Sequence, residues 1–325
     1  MNTPPSRKKI TWLLLLQSWA MLWVVIGHSP LSVPNLSSAF DTDYHECAMF
    51  LKKIAYSFHM PLFIMISGYL FYITRINKGS QYKKTLSDKF VRLGIPYVFF
   101  TVFAFFLKVY AGGVQRPVAL SLKSFLCAFV WPFDGPLQEM WFVAVILIYF
   151  SLLGMYRRLL KSNWLSTLCL CCAVGLFFIP VSDMSGVFAF NRAVHFFIFF
   201  FLGILIAAHH RFENIIKRKG SIVICLILYL ASFWADIIEE NAITLIMSLS
   251  GCLLCWGLAG TVDRKVSDTL FGSFRNYTYQ IFLLGIFIQI GIKLLYDKLG
   301  MQGIVCPVRD LYPRTYLKSN PTSWQ

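Results

Sequence analysis

Acidic charge is what this sequence has least of. Asp and Glu number 15 in 325 residues against 30 Lys and Arg, all charged residues make up 14%, and hydrophobic residues make up 57%. An ordinary soluble domain carries about 25% charged residues, so this balance excludes a water-soluble globular enzyme. Period-two alternation is missing from the apolar stretches, which excludes a transmembrane barrel. No internal repeat, low-complexity tract or long linker divides the chain, which argues for one domain.

Familiar catalytic signatures are missing too. There is no Gly-x-Ser-x-Gly elbow and no His-x-x-Glu-His pair, so serine-type and zinc-dependent hydrolysis lack support. Nine cysteines are present, but none has metal-ligand spacing with His or acidic partners. The run "CLCC" (Cys169, Cys171, Cys172) reads as small apolar packing, and no metal site is expected. Cys47, Cys127 and Cys306 fall outside the spans on the outward side, with no pairing assignable.

What the chain has in abundance is long apolar segments. About nine of them recur at 11 to 29, 55 to 75, 90 to 111, 140 to 156, 163 to 181, 190 to 208, 220 to 236, 242 to 261 and 275 to 296, each near the length that carries a helix across about 30 Å of hydrocarbon. Spanning backbone must satisfy its hydrogen bonds internally. The expected fold is therefore an all-α polytopic membrane bundle of about nine transmembrane helices.

Loop charge sets the orientation. With the amino terminus cytoplasmic, the inward loops hold 18 Lys and Arg and the outward loops hold 4 (Lys52, Lys53, Arg116 and Lys123), the asymmetry of the positive-inside rule. The net charge of +15 is thus spread through short loops, and no recognition motif accompanies it, so no nucleic-acid partner is expected. The segment 117 to 133 is read as interfacial or re-entrant, because inserting it would turn later basic loops outward. The amino-terminal apolar stretch imitates a secretory signal but is long and lacks a cleavage site, so it is read as an uncleaved first span. The expected organisation is a basic amino terminus over 1 to 10, a transmembrane domain over 11 to 297, and a polar tail over 298 to 325 that reads as truncated or altered.

Polar residues collect at the two ends of the predicted bundle. His28 ends the first span and His59 lies about four residues into the second, so both rings are expected within about 8 Å of the outer boundary. Glu139 and Trp141 open the fourth span at the same level, and Arg192 and His195 open the sixth at i and i+3 on one helical face. Asp236, Glu239 and Glu240 fall there too. On the inner side, "TRINKGSQYKKTLSDKFVRLGIPY" brings Arg75, Lys78, Lys83, Lys84, Lys89 and Arg92 together, a surface for phosphates. Pro61 sits either in the first turn of its helix or inside it, where it frees the Ser57 carbonyl and bends the helix. Ser67 and Gly68 most simply permit close helix packing.

A neutral, desolvated imidazole can accept a proton near pH 7, which suits a general base for a hydroxyl attacking an activated acyl group. Proton-coupled transport would use the same residues. Residue chemistry alone leaves these two classes open. Against transport stand the lack of paired interrupted helices in corresponding halves and of any acid near a span midpoint.

Five blocks occur in an order that resembles the integral-membrane acyltransferase 3 family, particularly its sugar O-acetylase branch. They are "AMLWVVIGHS" ending in His28, "FHMPLFIMISGYLF" from Phe58, "KFVRLGIPYVFF" from Lys89, "MWFVAVILIYF" from Met140 and "FFIFFFLGIL" from Phe196, with a weaker echo at "NYTYQIFLL". The resemblance implies transfer of an acetyl or related group from acyl-CoA, as co-substrate rather than resident cofactor, to a carbohydrate or lipid-linked saccharide of the cell envelope. It implies a multi-pass protein of a bacterial inner membrane. His28 matches the family's first-span histidine, expected to be catalytic as the base. Arg92 matches the arginine of the inner-face block, expected with Lys83, Lys84 and Arg75 to bind acyl-CoA. His59, Ser67, Gly68 and Trp141 match motif positions expected to line the site, with Glu139, Arg192 and His195 beside them. The chain departs from the family at Gln17, where many members carry Arg or Lys, and at Gly285, where many carry His. It also has about nine spans where about ten are usual. A catalytically impaired member and a transporter of an amphipathic solute are the alternatives.

Overall fold

The computed structural model describes residues 7–28, 42–110, 118–235, 240–262, 274 and 276–298. Among these the regular structure is helical throughout. In chain order the helices are α1 (Arg7–His28), α2 (Thr42–Phe71), α3 (Tyr82–Lys89), α4 (Ile95–Tyr110), α5 (Leu122–Val130), α6 (Trp141–Ser151), α7 (Leu153–Leu159), α8 (Asn163–Phe177), α9 (Phe190–His195), α10 (Phe197–Ala208), α11 (His210–Ile216), α12 (Lys219–Trp234), α13 (Glu240–Thr261) and α14 (Thr278–Lys298). Two single π-helical turns, Tyr72–Ile76 and Phe90–Gly94, lie directly after α2 and α3.

Helix covers most of each of the nine apolar runs among the described residues. Among the described residues, Thr11–His28, Phe50–Ile76, Tyr82–Tyr110 and Asn241–Thr261 are each long and apolar enough to cross a membrane. The fourth and sixth runs are broken: α6 and α7 meet at 55°, and the turn-plus-helix Val187–His195 meets α10 at 60°. Neither break carries Gly or Pro; Leu152 and Phe196 leave helical geometry with ψ near zero (16° and 2°). The fifth and seventh runs form shorter apolar helices, Asn163–Phe177 and Lys219–Trp234. The ninth run falls on α14. The segment read as interfacial contains the nine-residue α5, about 14 Å long and too short to cross. Ser121 caps it, its hydroxyl accepting from the Ser124 amide at 3.1 Å. The polar tail, Cys306, Asp236 and Glu239 lie outside the described residues. The chain is a helical multi-pass membrane protein.

Helix α2 begins at Thr42, thirteen residues before the apolar run expected from hydropathy. Pro61 is consequently deep inside it, and the alternative of a first-turn proline is removed. Pro61 has no N–H to donate to the Ser57 carbonyl one turn before it.

The described residues fall into two compact units, one comprising 1–60 and 251–325, the other 61–250, so that α2 and α13 each contribute to both. In the first unit α1 packs along α14. Its interior is aromatic: Trp12 meets Trp256 edge-on at 5.4 Å and Trp23 meets Phe58 at 5.6 Å. The Cys252 thiol of α13 donates to the Phe58 carbonyl at 3.6 Å. Gly27 lets α1 close on α2, since a Cβ there would lie 3.1 Å from the Ala55 Cβ and 3.2 Å from the Tyr56 ring.

In the second unit a reciprocal glycine crossing joins α2 to α10. A Cβ on Gly68 would collide with the Phe200 carbonyl oxygen, and a Cβ on Gly203 with the Met65 carbonyl oxygen. Lipid tails are as apolar as the side chains they would replace, so helices in a bilayer associate through such close backbone packing rather than through a hydrophobic drive. Around the crossing, Phe71 stacks on Phe150 at 4.6 Å and Tyr149 lies 4.6 Å from Phe200. The Tyr149 hydroxyl donates to the Ala193 carbonyl at 2.7 Å. At one end the buried Glu213 carboxylate accepts from Lys217 at 2.7 Å and from the Tyr69 hydroxyl at 3.4 Å, tying α11 to α2.

Candidate functional site

The histidines that the sequence placed at equal depth come together in the first unit. The rings of His28 and His59 lie 6.4 Å apart, centroid to centroid, and nearly perpendicular. Tyr56 completes the group, with its ring 5.0 Å from His59 and 5.7 Å from His28. Its hydroxyl stands 3.4 Å from Nδ1 of His28. Sequence reasoning did not single out Tyr56, although it precedes His59 by three residues and so shares its helical face. The Lys52 ammonium, one turn earlier, lies 5.5 Å from the centre of the Tyr56 ring.

The two imidazoles differ in surroundings. His59 is 1% exposed, and its Nδ1 donates to the Ala55 carbonyl at 2.5 Å. A carbonyl only accepts, so that contact places the proton on Nδ1 and the lone pair of the neutral ring on Nε2. His28 is half-buried and can hold either tautomer: the phenol donates to Nδ1, or Nδ1–H donates to the phenol oxygen. In the second case Nε2 has the lone pair required of a base.

A second group, all within the second unit, surrounds the π-helical turns. Each turn carries an arginine, Arg75 in one and Arg92 in the other, and π-turns recur at functional sites. Arg75 pairs with Asp88 at 2.9 Å. Lys89 leans over the Phe150 ring, its nitrogen 4.1 Å from the centroid. Arg157 of α7 donates to the Ser80 carbonyl at 2.5 Å and to the Arg75 carbonyl at 3.4 Å, bracing the turn that follows α2. Lys83, Lys84 and Arg92 are exposed. The sequence identified the basic cluster but not the neutralising Asp88, the aromatic seat of Lys89 or the brace from Arg157. A cation opposite an aromatic face gains about 0.5 to 2 kcal/mol depending on desolvation, which helps hold Lys89 in place.

A third group, also in the second unit, contains the residues predicted to open the fourth and sixth spans. The Arg192 guanidinium carbon sits 3.4 Å from the centre of the Phe133 ring and 5.1 Å from that of Trp141. Trp141 in turn stacks on Phe196 at 5.4 Å. His195 stacks on Phe177 at 4.1 Å. Arg192 Nε is buried without a hydrogen-bond partner among the described residues, and His195 Nδ1 is buried. The backbone just before this group is strained, Phe188 and Ala189 adopting φ of 48° and 56°, each such non-glycine residue costing about 1 to 2 kcal/mol. Glu139 is half-buried one turn before the interior of α6. Ser67 and Gly68 lie together in α2 of the same unit, Gly68 at the crossing with α10.

No curated protein and no solved structure matches the chain. A family model described as an acyltransferase domain matches residues 10–315, nearly the whole length. The chain belongs to the acyltransferase 3 family of membrane acyltransferases.

Proposed function

We propose that this protein transfers an acetyl or similar acyl group from acyl-CoA to a hydroxyl of a cell-envelope carbohydrate, with His28 as general base, in a bacterial inner membrane. The observation that carries the reading is the Tyr56–His28–His59 cluster in a chain of an acyltransferase family. Nδ1–H of His28 donates to the Tyr56 oxygen, and Nε2 takes the proton of the acceptor hydroxyl as its oxygen attacks the thioester carbonyl. The tetrahedral intermediate collapses with cleavage of the carbon–sulfur bond, and the proton held by His28 passes to the departing CoA thiolate. The products are an O-acyl ester and free CoA. Such a base contributes about 10²- to 10⁴-fold. Tyr56 is a positioning residue, and His59 lines the site beside it.

The CoA phosphates are assigned to Arg75, Arg92, Lys83, Lys84 and, in addition to the sequence-derived set, Lys89. Guanidinium and ammonium groups bind phosphate through charge-assisted hydrogen bonds. Within the second unit, Ser67, Gly68, Trp141, Glu139, Arg192 and His195 are assigned as substrate-lining residues. The test is transfer of labelled acetyl from acetyl-CoA by purified protein to envelope saccharides, compared with His28→Ala.

Transport of an amphipathic solute is the second reading, and the breaks at α6–α7 and α9–α10 favour it, because broken helices form the central sites of many transporters. Both breaks fall in residues 61–250 rather than in corresponding halves, and the family membership weighs for chemistry. Gradient-driven uptake without acyl transfer would support transport instead.

A further inference from the structure

Arg192 presents a problem that the transfer chemistry leaves unsolved. Its guanidinium lies between the Phe133 and Trp141 rings, its Nε is buried without a partner, and it makes no ion pair among the described residues. Asp134, adjacent to Phe133 in sequence, acts on the guanidinium electrostatically without forming an ion pair with it. Arg192 as a whole is half-buried, Nε being its buried and unpartnered atom, and the aromatic faces that cover it replace only part of the hydration they displace. One turn further along the same face, His195 stacks on Phe177 and interacts with its backbone, its Nδ1 lying buried. The strained residues Phe188 and Ala189 immediately precede the pair, and backbone strain persists where a particular arrangement of side chains is required.

An exposed indole borders this group. Trp131 is 39% exposed, and Gly186 lies between it and Asn191: a Cβ on Gly186 would be 3.6 Å from the Trp131 ring and 3.9 Å from the Asn191 amide nitrogen. An exposed indole beside a clamped, unpaired guanidinium fits a sugar ring that bears a negative group.

We propose that Arg192, clamped between Phe133 and Trp141 with His195 beside it, binds an anionic group on the acceptor, so that the acceptor is an acidic saccharide and not a neutral one. The shared chemistry is an oxyanion able to receive two parallel N–H donors. It can come from a carboxylate on the sugar ring or from a phosphate at its anomeric carbon. This proposal rests on the acyltransferase reading only for the word acceptor; its readout is binding.

The experiment is calorimetric titration of the full-length protein in nanodiscs with methyl β-D-glucuronide, α-D-glucose 1-phosphate and methyl β-D-glucoside. At least one anionic probe is expected to bind about 10-fold or more tightly than the neutral glycoside, the range of a hydrogen bond to a charged group. Preference for the glucuronide identifies the carboxylate as the source, and preference for the sugar phosphate identifies the phosphate. Arg192→Gln is expected to abolish the preference. Arg192→Lys, which keeps the charge but loses the planar fork, is expected to reduce it and serves if Arg192→Gln does not yield monodisperse protein. Equal responses to all three probes, no response to any, or a preference unchanged in both variants would overturn the proposal. Loss of acetyl transfer with an intact anion preference would instead count against the acyltransferase reading alone.

Discussion

The Tyr56 hydroxyl stands 3.4 Å from Nδ1 of His28, joining the end of α1 to the middle of α2. That distance is long for an O–H···N contact, as catalytic hydrogen bonds often are before substrate draws them in. If Tyr56 fixes the tautomer of His28, Tyr56→Phe should lower kcat by about 3- to 10-fold, the worth of one net hydrogen bond. KM for acetyl-CoA and for the acceptor should stay unchanged. Steady-state kinetics on the purified variant decide the matter, and a rise in KM with kcat intact would assign Tyr56 to substrate binding.

The crossing of α2 and α10 depends on two glycines. Gly203→Ala places a methyl group against the Met65 carbonyl and the Tyr69 backbone, and overpacking of this kind typically costs about 1 to 3 kcal/mol. Gly203→Val and Gly68→Val should leave no monodisperse protein on size-exclusion chromatography. Gly175→Ala in α8 is the control: open space surrounds that position, and the variant should melt at or slightly above the wild-type temperature, since Ala exceeds Gly in helix propensity by about 1 kcal/mol.

Charge around the π-turns should act on KM rather than kcat. Lys89→Met retains the length of the side chain on Phe150 but loses its charge, and should raise KM for acetyl-CoA about 10-fold, as removal of a charge-assisted contact does. Exposed Lys83 and Lys84 should each matter by less than about 1 kcal/mol. Asp88→Asn has the opposite sign: it releases Arg75 from its ion pair and should lower that KM by about 2- to 5-fold. Initial-rate measurements across acetyl-CoA concentration check all three, and added salt should compress the differences.

Hydropathy located the apolar runs because a bilayer demands about 20 apolar residues wherever a helix crosses. It located them less well where helix and bilayer part company. α2 extends back to Thr42 through Glu46, Lys52 and Lys53, residues that a helix accepts and hydrocarbon does not. The break at Leu152 has a local signal that hydropathy does not weigh, Ser151 just before it, whose hydroxyl donates to the Ile148 carbonyl, and Gly154 just after it; the break at Phe196 directly follows the polar His195. Helix rise alone placed His28 and His59 at one depth. The proximity of Tyr56 required knowing how α1 lies on α2, which Gly27 permits but does not announce. Likewise, Arg192 and His195 were visible as an i, i+3 pair, whereas Phe133, the ring that clamps Arg192, comes from a segment nearly sixty residues earlier in the chain.

The central claim is that His28 removes a proton from an acceptor hydroxyl during acyl transfer. The direct measurement is single-turnover transfer of labelled acetyl from acetyl-CoA to an envelope saccharide by purified wild-type and His28→Ala proteins, both monodisperse and with equal acetyl-CoA affinity. The account predicts a fall in the transfer rate of about 10²- to 10⁴-fold with His28→Ala, at unchanged binding of acetyl-CoA. Equal rates for the two proteins, or no transfer by the wild type to any saccharide tried, would contradict it.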